Sequence, residues 1–436
     1  MNLLERLGLG RPELRAWAMY DWANSAFQTT IVAAVFPIYY SKVLAVNLSE
    51  ADATSSYAWA TTLAIFLVAL VAPVLGSLAD YAAMKKRMLA AFMGIGTAAC
   101  VAMFWLTSGE WQFALTLFVI GNIGVAGSIV FYEALLPHLA APEELDRVSS
   151  AGYAIGYLGG GVLLAVNLAM IQKPELFGLA DAGIGTRLSF VSVGVWWALF
   201  SIPLFRKVPE PAVAAPGAVR ERVSIALGIR RLKATFSELR NYKQAFLFLL
   251  AFVVYNDGIQ TIMRMASFYG ATMGLDSGAM ITALVMTQFI GVPAAFAFGM
   301  IASRIGAKTA VFIGLTVYAA ISILGYYMTT ATHFFALAGL VGLVQGGTQA
   351  LSRSMFASMI PKQKSSEFFA FFSVFERYAG ILGPLVFGWV AAYWGNSRNA
   401  ILAVVIFFIV GALLLTRVDV EAGRRQARAG EAAFRA

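Results

Sequence analysis

The chain has 436 residues, of which 60% are hydrophobic and only 13% charged, with a mean hydropathy of +0.75. Soluble domains carry about 25% charged residues, so the composition excludes a water-soluble enzyme and points to a chain that crosses a membrane many times. The net charge of +9 fits cytoplasmic loops of such a chain and not nucleic-acid binding. The single cysteine, Cys100, sits in an apolar segment, which leaves no disulfide framework and no cysteine-based metal site. His138 and His333 stand far apart near segment ends, so neither a metal nor a cofactor is expected.

Runs of about 18–20 mostly apolar residues read as spanning helices. Twelve are expected, at 15–43, 56–80, 88–107, 112–136, 150–171, 186–205, 244–272, 278–302, 308–329, 333–357, 366–394 and 399–416. The fold class is therefore an all-α membrane protein of two six-helix bundles, 1–205 and 244–436, joined by a linker over 206–243. The first segment is too long and too interrupted by polar residues to be a signal-peptide core. It opens with WAMYDWANSAFQTT, which puts Asp21 and Asn24 where the chain is otherwise suited to lipid. A carboxylate at mid-bilayer costs about 2.5–3.5 kcal/mol even on the lenient insertion scale, so these groups are expected to face a cavity.

Lysine and arginine set the orientation. One set of connections collects Arg6, Arg11 and Arg15, then Lys85, Lys86 and Arg87, and later Arg304, Lys308, Lys362 and Lys364. The opposite set holds only Lys42, Lys173, Arg187 and Arg398. Both termini are thus expected inside the cell, in the inner membrane. In the linker, Ile225, Ile229, Leu232, Phe236 and Leu239 share one helical face among Arg230, Arg231, Lys233 and Arg240. This is a basic amphipathic helix, either lying on the membrane surface or capping the bundle from below.

The halves repeat. GSLADYAAMKKR from Gly76 answers GMIASRIGAKT from Gly299, LLP ending at Pro137 answers MIP ending at Pro361, and GYLGG at Gly156 answers GILGP at Gly380, all at nearly one offset. A parallel duplication of this kind places a substrate path between the halves. The seventh segment opens with YNDGIQ, echoing YDWANS, and contributes Asn256, Asp257, Gln260 and Arg264. Gly258 beside Asp257 would allow local unwinding or close approach of a solute. Glu133 closes the fourth segment, Arg353 stands in the tenth, and Glu376 and Arg377 in the eleventh. Gln345, Gln349 and Ser352 mark a polar face of the tenth. Acids inside a membrane are the groups through which a transporter couples to protons, which makes Asp21, Glu133, Asp257 and Glu376 the proton candidates. The alternative is that they only neutralise Arg264, Arg353 or Arg377. Gly152, Gly156 and Gly160 form a stripe for close helix approach, and Gly383 with Pro384 offers a similar surface in the eleventh segment.

GSLADYAAMKKR resembles the loop motif of the major facilitator superfamily. YDWANSAF, YNDGIQTI, GGTQALSRSMFASMIP, GYAIGYLGGG and ILGPLVFGWV resemble, in order and over nearly the whole chain, its UMF1/Atg22-like branch. The resemblance implies a solute carrier working by alternating access, with vacuolar relatives associated with amino-acid efflux. It makes Gly76, Asp80, Lys85, Lys86 and Arg87 a conformational latch and the glycine-rich helices packing surfaces between halves. Ser303 stands where the latch would repeat Asp80, which weakens the device in the second half. The expected partners are a small-molecule substrate, the lipid bilayer and protons, with no nucleic acid and a monomeric carrier. An amino acid is the first substrate, and a sugar, nucleoside or other metabolite the runner-up. No HExxH, GxSxG or Walker loop supports an enzyme or an ATP-driven pump. A transport-dead receptor or scaffold is the remaining alternative.

Overall fold

The computed structural model describes residues 9–81, 84–140, 145–210, 236–361, 368, 372, 375–376 and 379–433. The described residues are helical almost throughout. The opening segment is a broken helix: α1 (Pro12–Ala26) runs into a π-helical stretch at Phe27–Ala34, then α2 (Val35–Tyr39) and a second π turn at Tyr40–Leu44. Then come α3 (Glu50–Tyr81), α4 (Lys85–Ala102), α5 (Trp111–Leu139), α6 (Leu145–Gln172), α7 (Ala182–Lys207), α8 (Lys243–Thr272), α9 (Ser277–Ile305), α10 (Ala307–Tyr326) and α11 (Ala331–Ser358). The chain ends in α12 (Leu382–Trp394), α13 (Ser397–Ala403), α14 (Val405–Thr416) and α15 (Val420–Ala433).

Among the described residues, nine helices are long and apolar enough to cross a membrane. The other three expected segments are helical at 12–44, 50–81 and 382–394. The eleventh, expected as one helix over 366–394, is broken at 379–381 by a turn in which Gly380 has φ +106°, a conformation that suits glycine. The first falls short as a single rod because its helix is re-wound. Thr29 turns its hydroxyl back onto the carbonyls of Ser25 and Ala26, at 3.1 and 3.3 Å, as the wide turns begin. Such back-bonding loosens and bends a helix, and π turns recur where helices carry function.

By their contacts the residues divide into two compact units. The first is Met1–Ser49, Leu70–Ile225 and Gly270–Gln288; the second is Glu50–Ala69, Ala226–Tyr269 and Phe289–Ala436. The opening of α3 belongs with the second unit because Glu50 accepts hydrogen bonds from the Ser397 backbone N–H and hydroxyl, at 3.1 and 2.6 Å. Tyr57 also stacks on Phe268 at 5.0 Å.

Each unit is cemented by aromatics. In the first, Phe36 stacks on Phe118 at 5.0 Å and Trp22 on Trp196 at 5.6 Å. In the second, Phe372 stacks on Phe252 at 4.4 Å and on Phe356 at 4.8 Å. Large apolar side chains such as Phe113, Val195, Phe289, Leu343, Trp389 and Leu413 stay exposed, as suits surfaces whose solvent is lipid. Most of the expected linker helix lies outside the described residues; of its apolar face, Phe236 packs on Phe246 and Leu239 is buried.

The basic tail is a helix. In α15, Gly423 and Ala427 are buried, and the Gln426 amide donates to the Asn241 carbonyl at 2.6 Å. Arg425 and Arg428 point outward.

Candidate functional site

In the first unit, α1 builds a polar seam against α5 and α6. Trp17 stacks on Tyr132 at 4.5 Å and donates from Nε1 to the Tyr132 carbonyl at 3.1 Å. This fixes Tyr132 so that its hydroxyl donates to Asp21 Oδ2 at 2.7 Å. Asp21 keeps part of its surface open, while Asn24 is buried and donates to the Tyr20 carbonyl at 2.9 Å. The glycines of α6 are what let α1 lie so close. A Cβ on Gly152 would stand 2.5 Å from Asp21 Oδ2, and one on Gly156 would stand 2.6 Å from Ser25 Oγ. At Gly160 the carbonyl accepts a hydrogen bond from Thr29 at 3.2 Å. Two turns on, Asn167 donates to Thr30 at 3.3 Å and accepts from Ser192 at 2.8 Å, a relay between three elements. Glu133 is exposed on α5, a different setting from the interior position its place in the segment suggested.

In the second unit, one side of α8 carries both an acid and a polar stripe. Asp257 is 1% exposed and receives the backbone N–H of Gly383 at 2.7 Å and of Leu382 at 3.1 Å. These are N–H groups of the first turn of α12, which have no intrahelical partner. The side chain at the N-cap position, Ile381, makes no capping bond, and Pro384 has no N–H to satisfy. Asp257 thus caps α12 from a neighbouring helix, where a negative charge also meets the positive end of the helix dipole. The approach depends on Gly383, since a Cβ there would run into the Thr261 hydroxyl and into Asp257.

Beside Asp257, α8 carries Asn256, Gln260 and Arg264 at i, i+4 and i+8, a stripe that turns toward the acid. Arg264, seven residues on, therefore shares the face of Asp257 and interacts with its charge. Asn256 is 0% exposed, and neither its amide nitrogen nor its amide oxygen has a hydrogen-bond partner. Nε and Nη1 of Arg264 are likewise enclosed without an acceptor, and among the described residues no carboxylate lies within ion-pair distance of it. An unsatisfied buried polar group costs about 1–3 kcal/mol, more when charged. Asn256 and Arg264 thus carry buried hydrogen-bonding groups that the fold itself does not use.

The remaining expected residues fall into place singly. Arg353 pairs with Glu376 at 3.5 Å, so those two neutralise one another, both partly exposed. Gln345 is buried and Gln349 half-buried on α11, where Ser352 lies 2.6 Å from the Tyr255 hydroxyl. Arg377 lies outside the described residues. Gly76 and Asp80 fall on α3, where the side chains lie outside the described residues.

The basic cluster that follows is described. Lys85 is buried with Nζ 2.9 Å from His138 Nε2, and Arg87 is exposed. Lys86 ties the end of α7: its Nζ donates to the carbonyls of Phe205 and Val208 at 2.9 and 2.7 Å, and its backbone N–H to Glu210. In the second unit Lys308 does the same for α14, donating to the carbonyls of Thr416 and Val418 at 3.2 and 2.7 Å. A lysine on the last carbonyls of a helix complements its dipole. The duplicated loop therefore repeats a lysine staple even where Ser303 replaces Asp80. The repeat of GAKT on AMKKR could have flagged Lys308, and the FYE run could have flagged Tyr132. Nothing in the local sequence marks Glu50 as a partner of Ser397.

Duplicated helical halves, glycine-tight packing and polar groups inside lipid-facing helices define a carrier of the major facilitator type. Solved structures share this fold: a D-xylose-proton symporter at TM-score 0.66 and 15% identity, covering 94% of this chain and 98% of that one, and the nucleoside transporter NupG at TM-score 0.65 and 14% identity, covering 94% and 99%. The family described as vacuole effluxer Atg22 like matches residues 10–428, and the chain belongs to that family. It is 33% identical over 408 residues to the MFS-type transporter YxiO of Bacillus subtilis (strain 168), covering 93% of this chain and 94% of that protein. It is 29% identical over 317 residues to autophagy-related protein 22 of Yarrowia lipolytica, covering 64% of this chain but only 51% of that longer protein. The molecule is an integral membrane transporter and not an enzyme.

Proposed function

We propose that this transporter is a secondary carrier for a small polar solute, an amino acid first of all, working by alternating access and coupled to protons. The observation that carries the reading is the stripe Asn256, Gln260 and Arg264 inside a spanning helix, in which the amide of Asn256 and Nε and Nη1 of Arg264 make no hydrogen bond. Intramembrane polar groups of this kind mark solute or ion paths. Asp21, held by one hydroxyl and partly open, is the acid best placed to exchange a proton. The family's description as vacuole effluxers supports a solute-moving role, with direction set by the gradients. The six-helix halves 1–205 and 244–436 are the moving bodies in this reading. Lys85, Lys86 and Arg87 form the latch at the inner ends, and both termini face the cytoplasm across the plasma membrane.

The test is uptake by proteoliposomes of a radiolabelled mixture of the twenty L-amino acids, with and without an imposed pH gradient. Accumulation that follows the gradient supports the reading. Uptake of amino acids indifferent to pH removes the proton from it. Uptake of uridine or xylose without amino acids replaces the substrate, and exchange of no solute at all makes the chain a receptor or scaffold.

A further inference from the structure

We infer that Arg264 is the anchor of the substrate site and that the transported solute carries a carboxylate; this rests on the carrier reading above and narrows its substrate class. A guanidinium offers only donors, set in a planar fork that fits a carboxylate with two parallel hydrogen bonds. Nε and Nη1 of Arg264 are enclosed and have no acceptor in the protein. Asp257, on the same face of the helix and close enough to interact with the charge of Arg264, is not that acceptor. Its two oxygens take the backbone N–H groups of Leu382 and Gly383, and no hydrogen bond joins it to Nε or Nη1 of the guanidinium. A polyol or nucleoside could lend lone pairs to these N–H groups but brings no charge of its own, and the acid that interacts with the guanidinium, Asp257, spends its hydrogen bonds on α12. A carboxylate supplies both the lone pairs and the charge.

The rest of the stripe fits a solute with a second polar end. Gln260 and Asn256 stand about 6 and 12 Å along the helix axis from Arg264. Each has an amide oxygen to accept from an amine and an N–H to meet a hydroxyl. Beside Gln260 runs the turn that leads into α12. A Cβ at Gly380, whose φ of +106° suits glycine, would stand 3.4 Å from Gln260 Cβ and 3.6 Å from Ile65 Cδ1. These residues all belong to the second unit, so the anchor is built within one unit.

The experiment is equilibrium binding to the purified full-length protein in lipid nanodiscs. The probes are the twenty L-amino acids, the amine-free acids lactate, succinate and 4-methyl-2-oxopentanoate, and the uncharged solutes uridine and D-xylose. Each acid that binds is then compared with its carboxamide. The expected result is that only carboxylates bind and that the carboxamide loses at least tenfold in affinity. Arg264→Gln should lose as much, and Arg264→Lys should fall between. Equal binding of acid and carboxamide overturns the inference, as does undiminished binding by Arg264→Gln. So does binding confined to uridine or xylose, or binding by none of the probes. The acid and carboxamide pair is read on the wild-type protein, so the answer stands even if the Arg264 variants fail to fold. Amine-free acids that bind through Arg264 while amino acids do not would keep this inference and remove the amino-acid reading. Amino acids that bind without Arg264 would do the reverse.

Discussion

The opening helix of the first unit and α8 of the second begin with almost the same word, YDWANS and YNDGIQ, yet their acids do different jobs. Asp21 has a tyrosine hydroxyl on one oxygen and keeps some open surface. Asp257 is sealed, with each oxygen on a backbone N–H of α12. Both opening helices carry an acid within two residues of a tyrosine. Packing makes the second a cap and leaves the first with a side-chain partner only. In the second unit the unused hydrogen-bonding groups are those of Asn256 and of Arg264 Nε and Nη1, on the same side of α8 as the acid.

The largest effect expected from breaking this contrast is at the cap. Asp257→Ala leaves two first-turn N–H groups of α12 buried without an acceptor. From the strength of charge-assisted hydrogen bonds and of helix caps, the loss is about 2–3 kcal/mol. Thermal unfolding followed by tryptophan fluorescence should show a drop of several degrees, and a smaller one for Asp257→Asn, which keeps one acceptor oxygen. If Asp257→Asn were as stable as the wild type but dead in transport, the acid would be a proton carrier first and a cap second.

Asp21→Asn should behave in the opposite way. The asparagine still offers an oxygen to Tyr132, so stability should change by less than about 1 kcal/mol. Transport, in contrast, should lose its dependence on the pH gradient, because the only thing removed is a charge that can come and go. The uptake rate across a series of imposed gradients measures this. A pH profile identical to the wild type would take Asp21 out of the proton path. A large fall in unfolding temperature would make the two acids alike after all.

The sequence made this contrast visible only in part. Hydrophobic runs located the spanning helices, and the repeated motifs located the polar stretches, because both signals are local. What Asp257 binds is not local: Leu382 and Gly383 follow it by more than a hundred residues, and an acid that caps reads like an acid that titrates. The same holds for Arg353 and Glu376, two site candidates that pair with each other, and for Glu50, whose carboxylate serves Ser397. The re-winding of the first segment was hidden for a different reason. Phe27–Ala34 has the composition of an ordinary helix, and the Thr29 back-bond is one that regular helices of the chain also make. The glycine stripe of α6 was legible as a stripe, but its partner, α1 itself, was not.

The smallest expected effect concerns what the duplication did preserve. Lys86 and Lys308 each close the carbonyl end of the last spanning helix in their half. A cation at a helix C-terminus contributes about 0.3–1 kcal/mol, so Lys86→Met and Lys308→Met should each lower the unfolding temperature slightly and by similar amounts. The two lysines share no partner, so the double variant should lose the sum. Transport separates them. Lys86 sits in a cluster with Lys85 and Arg87 and also holds Glu210 by its backbone, whereas Lys308 follows a loop in which Ser303 replaces the acid. If the first cluster is a latch as well as a staple, Lys86→Met changes the transport rate beyond its cost in stability, and Lys308→Met does not. Equal rates for the two variants would reduce both lysines to staples and leave the latch to Asp80 alone.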